Sequence, residues 1–155
     1  MPIEEARARM TTKLIASLYT EAMILADEAR AYFDRHGKDD RMALDPLLRV
    51  GFSCESLKVT TRLMHVIAWL LTQRAVEAGE LTRAQARSTS RRLGDAVESD
   101  PALLDKLPAA ALHLVEASRE LYARVQRLDE GSGSAEPQPS PARSLMNRLE
   151  RSLRA

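Results

Sequence analysis

The sequence has few of the residues that build special chemical sites. Its 155 positions include one cysteine, one tryptophan and only 4% aromatic residues. A single cysteine, Cys54, excludes an internal disulfide and a zinc site made of several thiolates. The formal net charge of +1 argues against a nucleic-acid-binding protein driven by bulk charge. We therefore expect a globular protein that folds on its apolar residues alone, with no nucleic acid as its partner.

Long apolar runs are also missing. The longest one, VIAWLL at residues 66–71, is about a third of the ~20 residues that a membrane-spanning helix needs. The first ten residues, MPIEEARARM, lack the apolar core of a signal peptide. These two features predict a soluble cytoplasmic protein that does not bind a membrane.

Motifs that carry catalysis are absent as well. The glycine-rich phosphate loops G-x-G-x-x-G and G-x-x-x-x-G-K do not occur. No histidine lies in an H-E-x-x-H motif, and neither His65 nor His113 follows a glutamate by three positions, as a di-iron helical bundle would require. Cys54 is expected to be a small core residue rather than a nucleophile. The sequence predicts a protein that is not an enzyme and that has no catalytic residue, metal or cofactor.

Signals for β-strands are missing, and the apolar residues instead recur at steps of three and four. We predict a first long helix from about Thr11 to Arg35, with Thr11 or Thr12 as its cap and Gly37 just past its end. The stripe that packs in the bundle is Ile15, Leu18, Ala22, Leu25, Ala29 and Tyr32, broadened by Leu14, Met23 and Phe33.

A second long helix is predicted to begin with the cap-and-proline pair Asp45-Pro46 and to end at Ala78, before Gly79. Gly51 lies inside this helix and marks a bend or a short break. The helix is apolar on more than one face, so we expect other helices to cover one side and a second subunit to cover the other. The candidates for core or homodimer contacts are Met64, Trp69 and Leu71.

Thr82 and Gln85 form a capping-box pattern that predicts a third, shorter helix to about Val97. Arginines at steps of four would form a basic ridge on this helix, and they are Arg83, Arg87 and Arg91. Such a ridge can meet an acidic protein face or a phosphate, and the alternative is an ordinary solvated face.

Asp100-Pro101 repeats the cap-and-proline signal ahead of a short helical turn. Pro108 opens a last long helix that is predicted to run to about Leu128. Its apolar stripe is Ala111, Leu114, Ser118, Leu121, Val125 and Leu128. The predicted fold is therefore an all-α antiparallel bundle of three long helices plus one shorter helix, with a disordered C-terminal tail.

The composition changes after Glu130. Residues 131–142 contain eight Gly, Ser or Pro in twelve positions, which predicts a disordered linker. The last segment, 143–155, is basic and amphipathic, and an isolated helix of this length folds only on a partner. Its partner-binding candidates are Leu145, Met146, Arg148, Leu149 and Leu153. The predicted organisation is an N-terminal extension (1–10), a bundle domain (11–130), a linker (131–142) and this terminal segment (143–155).

Several blocks of the sequence resemble a known family. They are EARAYF at residues 28–33, SCESLKVTTRLM at 53–64, WLLTQRAV at 69–76 and SRELYARV at 118–125. Together they resemble the RcdA family of alphaproteobacteria, named as regulators of CtrA degradation, and the resemblance spans about residues 12–130.

The resemblance implies an adaptor for the ATP-dependent protease ClpXP. Members of this family join a protease that a response-regulator protein has already primed, and they tether transcription-factor cargo or a further adaptor to it. The resemblance also implies a helical homodimer that acts at the cell pole during cell-cycle progression, with no catalytic residues to carry over.

The alternative function is a small helical DNA-binding or transcription-linked interaction protein. Only the basic ridge favours it. Residues 131–155 hold four arginines and two glutamates, a charge of +2, which leaves −1 for residues 1–130. A bundle with that charge is a poor match for DNA.

Overall fold

The computed structural model describes residues 2–133 and 141–154 of the chain. Within these two ranges the regular secondary structure is entirely helical. In chain order the helices are α1 (Pro2–Ala31), α2 (Lys38–Met42), α3 (Pro46–Glu77), α4 (Arg83–Ala86), α5 (Pro101–Leu104), α6 (Ala109–Gly133) and α7 (Pro141–Leu153). The predicted all-α bundle of three long helices, α1, α3 and α6, is confirmed. No helix in the described ranges is long and apolar enough to cross a membrane.

Helix α1 begins at Pro2, so the predicted start at Thr11 is wrong. Glu4 and Glu5 lie in its first turn, where acidic side chains stabilise the positive end of the helix dipole. Residues 2–10 are all exposed, so this part of α1 extends past the bundle core. The helix also ends early, because residues Tyr32–His36 form a wider π-helical turn.

The predicted stripe of α1 is buried, apart from its last member. Ile15, Leu18, Ala22, Leu25 and Ala29 face the core, and Tyr32 is half-buried. Leu14 and Met23, which were expected to broaden the stripe, are exposed instead. Helix α1 therefore contacts the other two long helices through a narrow stripe of residues at steps of three and four.

Helix α3 has the predicted ends. The Asp45 side chain accepts a hydrogen bond from the Leu48 amide at 3.0 Å, and Gly79 adopts a φ of +77° just past the end of the helix. Gly51 does not break the helix. Leu103 packs so closely on it that a Cβ atom at position 51 would lie 2.7 Å from the Leu103 side chain. Glycine at position 51 therefore lets Leu103 approach α3 closely.

The predicted third helix to Val97 is wrong. The capping box forms, with Thr82 and Gln85 exchanging hydrogen bonds of 2.8 and 3.1 Å, but α4 lasts only one turn. A 3-10 turn, Thr89–Arg91, follows, and residues 92–100 are then non-helical. We call residues 92–100 the strap. Of the α4 residues only Ala86 is buried, so there is no apolar stripe to hold a longer helix against the bundle.

The path of the strap accounts for the relative directions of the three long helices, α1, α3 and α6. Arg62 and Trp69 of α3 contact Ser118 and Asp129 of α6 in the same order along both helices, so α3 and α6 run parallel. The predicted antiparallel arrangement is therefore wrong for this pair of helices. Helix α1 is antiparallel to both, since its Tyr19 lies against Arg74 of α3. The strap returns the chain along the bundle to start α6 at the same end as α3.

The core fills the space between these three helices. From α3 the buried apolar residues are Phe52, Val59, Leu63, Val66, Trp69 and Leu70, and from α6 they are Ala111, Leu114, Val115, Leu121 and Val125. The predicted stripe of α6 is thereby confirmed, although the helix continues past Leu128 to Gly133. Short α5 adds Leu104 to the same core.

Candidate protein-interaction surfaces

A buried polar cluster holds the strap onto the bundle. The Arg62 guanidinium donates to the Ser99 hydroxyl at 2.6 Å, to the Val97 carbonyl at 3.3 Å and to the Ser118 hydroxyl at 3.2 Å. Ser99 in turn donates to the Glu55 carboxylate at 2.5 Å. Both charged residues are nearly inaccessible to solvent. The cluster therefore joins α3, the strap and α6 through buried hydrogen bonds.

The two buried charges of this cluster, on Arg62 and Glu55, stabilise each other and hold the strap in place. Burial lowers the pKa of the Arg62 guanidinium, and the nearby Glu55 charge opposes that change. Glu55 has a second cationic partner in Lys58, at 3.0 Å. The cluster was not among the predicted features, but the sequence contains a signal for it. Glu55 and Arg62 are seven positions apart, so they lie on the same face of α3 as the core residues, where charged side chains are rare.

A second anchor lies near the other end of the strap. The Asp129 carboxylate accepts the indole N–H of Trp69 at 2.9 Å and two hydrogen bonds from Arg92, at 2.7 and 3.1 Å. These hydrogen bonds raise the pKa of Arg92. Trp69 is thus a core residue, 4% exposed, whose one polar atom is paired.

An apolar surface runs along the opposite side of α3. Its members recur at steps of three and four with one step of seven between Leu57 and Met64, and Leu71 also belongs to it. We call this surface the outer seam, and it consists of Leu47, Val50, Cys54, Leu57, Met64, Ala68 and Leu71, all of them exposed. Met64 is 63% exposed, so it lies outside the core of the single chain. The expectation that Cys54 is a core residue is wrong, because Cys54 is exposed on this seam.

The predicted basic ridge does not form on one helix. Arg83 lies in α4, Arg87 caps its end and Arg91 belongs to the 3-10 turn. Arg83 and Arg87 instead line a groove of about 490 Å³ together with Arg92 and Asp129. The break at residue 87 removes the continuous helical face that favoured the DNA-binding alternative.

A third surface lies between the strap and α6. We call it the acidic groove, and it has a volume of about 570 Å³. Its floor is partly apolar, with Val97 68% exposed beside Tyr122 and Ala123. Four carboxylates line it, those of Asp95, Glu98, Glu116 and Glu120, against the two arginines Arg62 and Arg119. No local sequence pattern predicts this groove, because the strap and α6, which are distant in sequence, form it together.

The predicted terminal segment is helical, as α7. Its apolar candidates are exposed, namely Leu145 (60%), Met146 (61%), Leu149 (55%) and Leu153 (84%). Of the predicted linker, residues 131–133 continue α6 and residues 141–142 begin α7. The rest of the linker, 134–140, lies outside the described residues. In the described parts of the chain no group of three or more His, Cys, Asp or Glu side chains could hold a metal ion.

Comparison with known proteins places this bundle in a family. The family model for a protein of unknown function, DUF1465, matches residues 6–153. The solved structure of RcdA from Caulobacter crescentus CB15 is 35% identical and superposes with a TM-score of 0.65 over 79% of this chain and 93% of that chain. The chain belongs to the DUF1465 family, with RcdA as a relative. No curated protein matches it.

The match to RcdA confirms the resemblance that the sequence blocks indicated. At 79% coverage it extends over most of the bundle, and so over the three-helix core described above. The surfaces of this DUF1465 member can therefore be considered as the surfaces of an RcdA-like bundle.

Proposed function

We propose that the protein is a non-enzymatic adaptor that tethers substrate proteins or further adaptors to the primed ClpXP protease in cell-cycle-regulated proteolysis. The observation that carries this proposal is the 35% identity to RcdA on the same helical bundle. An adaptor acts by raising the local concentration of its cargo at the protease, while unfolding and cleavage belong to the protease. A rigid core with several exposed surfaces suits that role.

The partners in this proposal are proteins. They are the ClpXP protease, the response-regulator-type adaptor that primes it, and cargo transcription factors. The place of action is the cytoplasm, at the cell pole. A direct test is sedimentation of the purified chain with ClpXP, with and without the response-regulator protein. We expect co-sedimentation only when the response regulator is present. An equal amount of the chain left unsedimented, with and without the response regulator, would contradict the proposal.

We further propose that two copies of the chain associate through the first two long helices, with the outer seam of α3 at the centre of the contact. The seam presents Leu57, Met64 and Leu71 at 68%, 63% and 46% exposure. Apolar residues repeated at steps of three and four over a long helix are the pattern by which helices pack side by side. A two-fold interface would bury the same seam from both copies.

Met64→Glu should convert the dimer into a folded monomer. A carboxylate in the centre of an apolar contact loses its hydration without gaining a partner. The dissociation constant of the dimer should therefore rise at least tenfold, which corresponds to a loss of about 1.4 kcal/mol or more of binding free energy. Sedimentation velocity at tens of micromolar measures this, and circular dichroism checks the fold. Leu71→Glu should behave the same way.

Met42→Glu is the matched control, since Met42 is 52% exposed on α2 and lies off the seam. It should leave the dimer unchanged. A wild-type chain that sediments as a monomer, or a Met64→Glu chain that remains a dimer, would exclude the seam as the interface.

The tail, α7, is proposed as a docking motif for a cargo or for a protease-bound partner. Three leucines and Met146 form one side of a helix, which suits binding in a groove of another protein. A short covalent tether gives effective concentrations in the millimolar range, so even weak binding would contribute to delivery.

Removing residues 134–155 should leave folding and dimerisation intact but weaken delivery of at least one cargo. This boundary keeps α6 whole, which a cut at residue 131 would not. Leu149→Asp should reproduce most of the loss, whereas Arg148→Ala should cause less and mainly change the salt dependence. The measurement is cargo degradation by the primed protease. Equal rates with every cargo for full-length and shortened chains would exclude a role of the tail in delivery.

A further inference from the structure

The chain contains two surfaces that complement each other in charge, and both include exposed apolar residues. Helix α7 has an exposed apolar face, and its arginines outnumber its one glutamate. The acidic groove has a partly apolar floor, and carboxylates from the strap and from α6 line it. We propose that α7 docks in the acidic groove of its own chain and competes there with outside partners. This inference concerns the chain alone and does not rest on the proposed protease.

Charge separates this groove from the other surfaces of the bundle. On the acidic groove four carboxylates stand against two arginines, whereas α7 carries arginines at 148 and 151 and a single glutamate, Glu150. The groove beside α4 is lined by three arginines against two carboxylates, Glu77 and Asp129, so it offers a basic tail no acidic rim. The outer seam is apolar, but α3 has only two acidic residues, and Glu55 is buried while Glu77 lies at the far end of the helix. A pocket on α1 beside Ile24 also has carboxylates, Glu21 and Glu28, but the acidic groove has four, so it offers a basic helix the larger acidic rim.

The helical geometry of α7 fits a two-sided rim. At 100° per residue, Leu145, Leu149 and Leu153 lie on one face. Arg148 then borders one edge of that face and Glu150 borders the other, while Arg154 follows the last residue of the helix. The rim of the groove is also two-sided, because Glu98 belongs to the strap and Glu116 to α6. A docked α7 can therefore bury its leucines while Arg148 reaches a carboxylate of one wall and Glu150 meets Arg119, which lies 3.8 Å from both Glu98 and Glu116.

The chain is long enough to allow this docking. Seven residues separate Gly133 from Pro141, and they span at most about 29 Å when extended. Helix α7, with 13 residues, is about 20 Å long. The α6 part of the groove, from Glu116 to Gln126, covers about 15 Å and ends about 10 Å before Gly133. An antiparallel return of α7 along α6 brings its C-terminal end to the level of Glu116.

Docking within the chain makes the tail conditionally available. Because the tether holds α7 at an effective concentration of about 1 mM, even a contact with a dissociation constant near 1 mM would be about half occupied. An outside partner must then displace α7 from the groove. Since the contact is charged and lies near the surface, salt should release the tail.

Paramagnetic relaxation in the full-length chain tests this directly. A nitroxide is attached at Ala155→Cys in a Cys54→Ser background, and the protein is labelled with ¹⁵N. We expect severalfold broadening of the amides around Glu98 and Glu116, and none around Met64 or Arg83. The broadening should fall between 50 and 500 mM NaCl. Broadening at the outer seam, or no broadening at all, would overturn the proposal.

A charge exchange provides the specific control. Glu116→Lys with Glu120→Lys should abolish the broadening, and adding Arg148→Glu with Arg154→Glu should restore it. Glu28→Lys on exposed α1 should have no effect. A mixed sample, with the nitroxide and the ¹⁵N on different molecules, separates docking within a chain from docking between chains. Broadening that persists in the mixed sample, or a charge exchange that fails to restore it, would contradict docking in cis.

Discussion

Replacing Trp69 with alanine should lower the free energy of unfolding by about 3–5 kcal/mol, the usual cost of removing a large buried aromatic side chain. Trp69 is 4% exposed in the centre of the bundle, and its indole donates to Asp129 at 2.9 Å. The substitution leaves a cavity between α3 and α6 and also removes a hydrogen bond from a buried carboxylate. Trp69→Phe should cost less, because most of the ring volume remains.

Urea denaturation followed by far-ultraviolet circular dichroism measures this effect without relying on the lost tryptophan fluorescence. Met42→Ala, on exposed α2, is the control and should change the stability by less than about 0.5 kcal/mol. A Trp69→Ala chain as stable as the wild type would mean that Trp69 contributes to a partner surface and not to the core.

The second large effect is expected from Arg62→Ala, again about 3–5 kcal/mol. Removing one member of a buried ion cluster leaves the other charge without its partners, and that penalty exceeds the loss of the contact itself. Here the residue left behind is Glu55, 1% exposed, with Ser99 and Lys58 as its remaining partners. The strap also loses the hydrogen bond that the Val97 carbonyl accepts.

Amide hydrogen exchange adds a local measurement to the global one. We expect faster exchange in residues 93–99 of the Arg62→Ala chain, because these residues depend on the cluster for their position. Arg119→Ala is the matched control. Its ion pairs with Glu98 and Glu116 are 3.8 Å long and partly exposed, so its loss should cost at most about 0.5 kcal/mol. Equal effects of the two variants would contradict the assigned role of Arg62.

The long helices could be predicted from sequence because their signals are local and repeated. The stripe from Ile15 to Ala29 and the stripe of α6 extend over several turns, and the Asp45-Pro46 cap marks the start of α3 within one residue. In each case the residues that determine the element lie inside it. The start of α1 was missed because residues 2–10 form helix without burying an apolar side chain.

The strap could not be predicted in the same way. A capping box starts a helix but does not extend it, and the strap is held by Arg62 and Tyr122, which lie 28 residues or more away in sequence. The same distinction between local and long-range contacts applies to the candidate surfaces. The seam residues Met64 and Leu71 and the apolar side of α7 were visible in one helix each, whereas the acidic groove needs the strap and α6 together.

The central claim, that the chain is an adaptor in regulated proteolysis, is tested most directly by reconstituted degradation. Purified ClpXP, the priming response regulator and a transcription-factor cargo are combined with increasing amounts of the chain, at cargo concentrations below saturation. We predict that degradation becomes faster by roughly tenfold or more and then saturates, since tethering raises the local concentration of cargo. Without the response regulator the chain should have no effect. Degradation rates that do not change at any concentration of the chain, with every cargo tested, would contradict the claim.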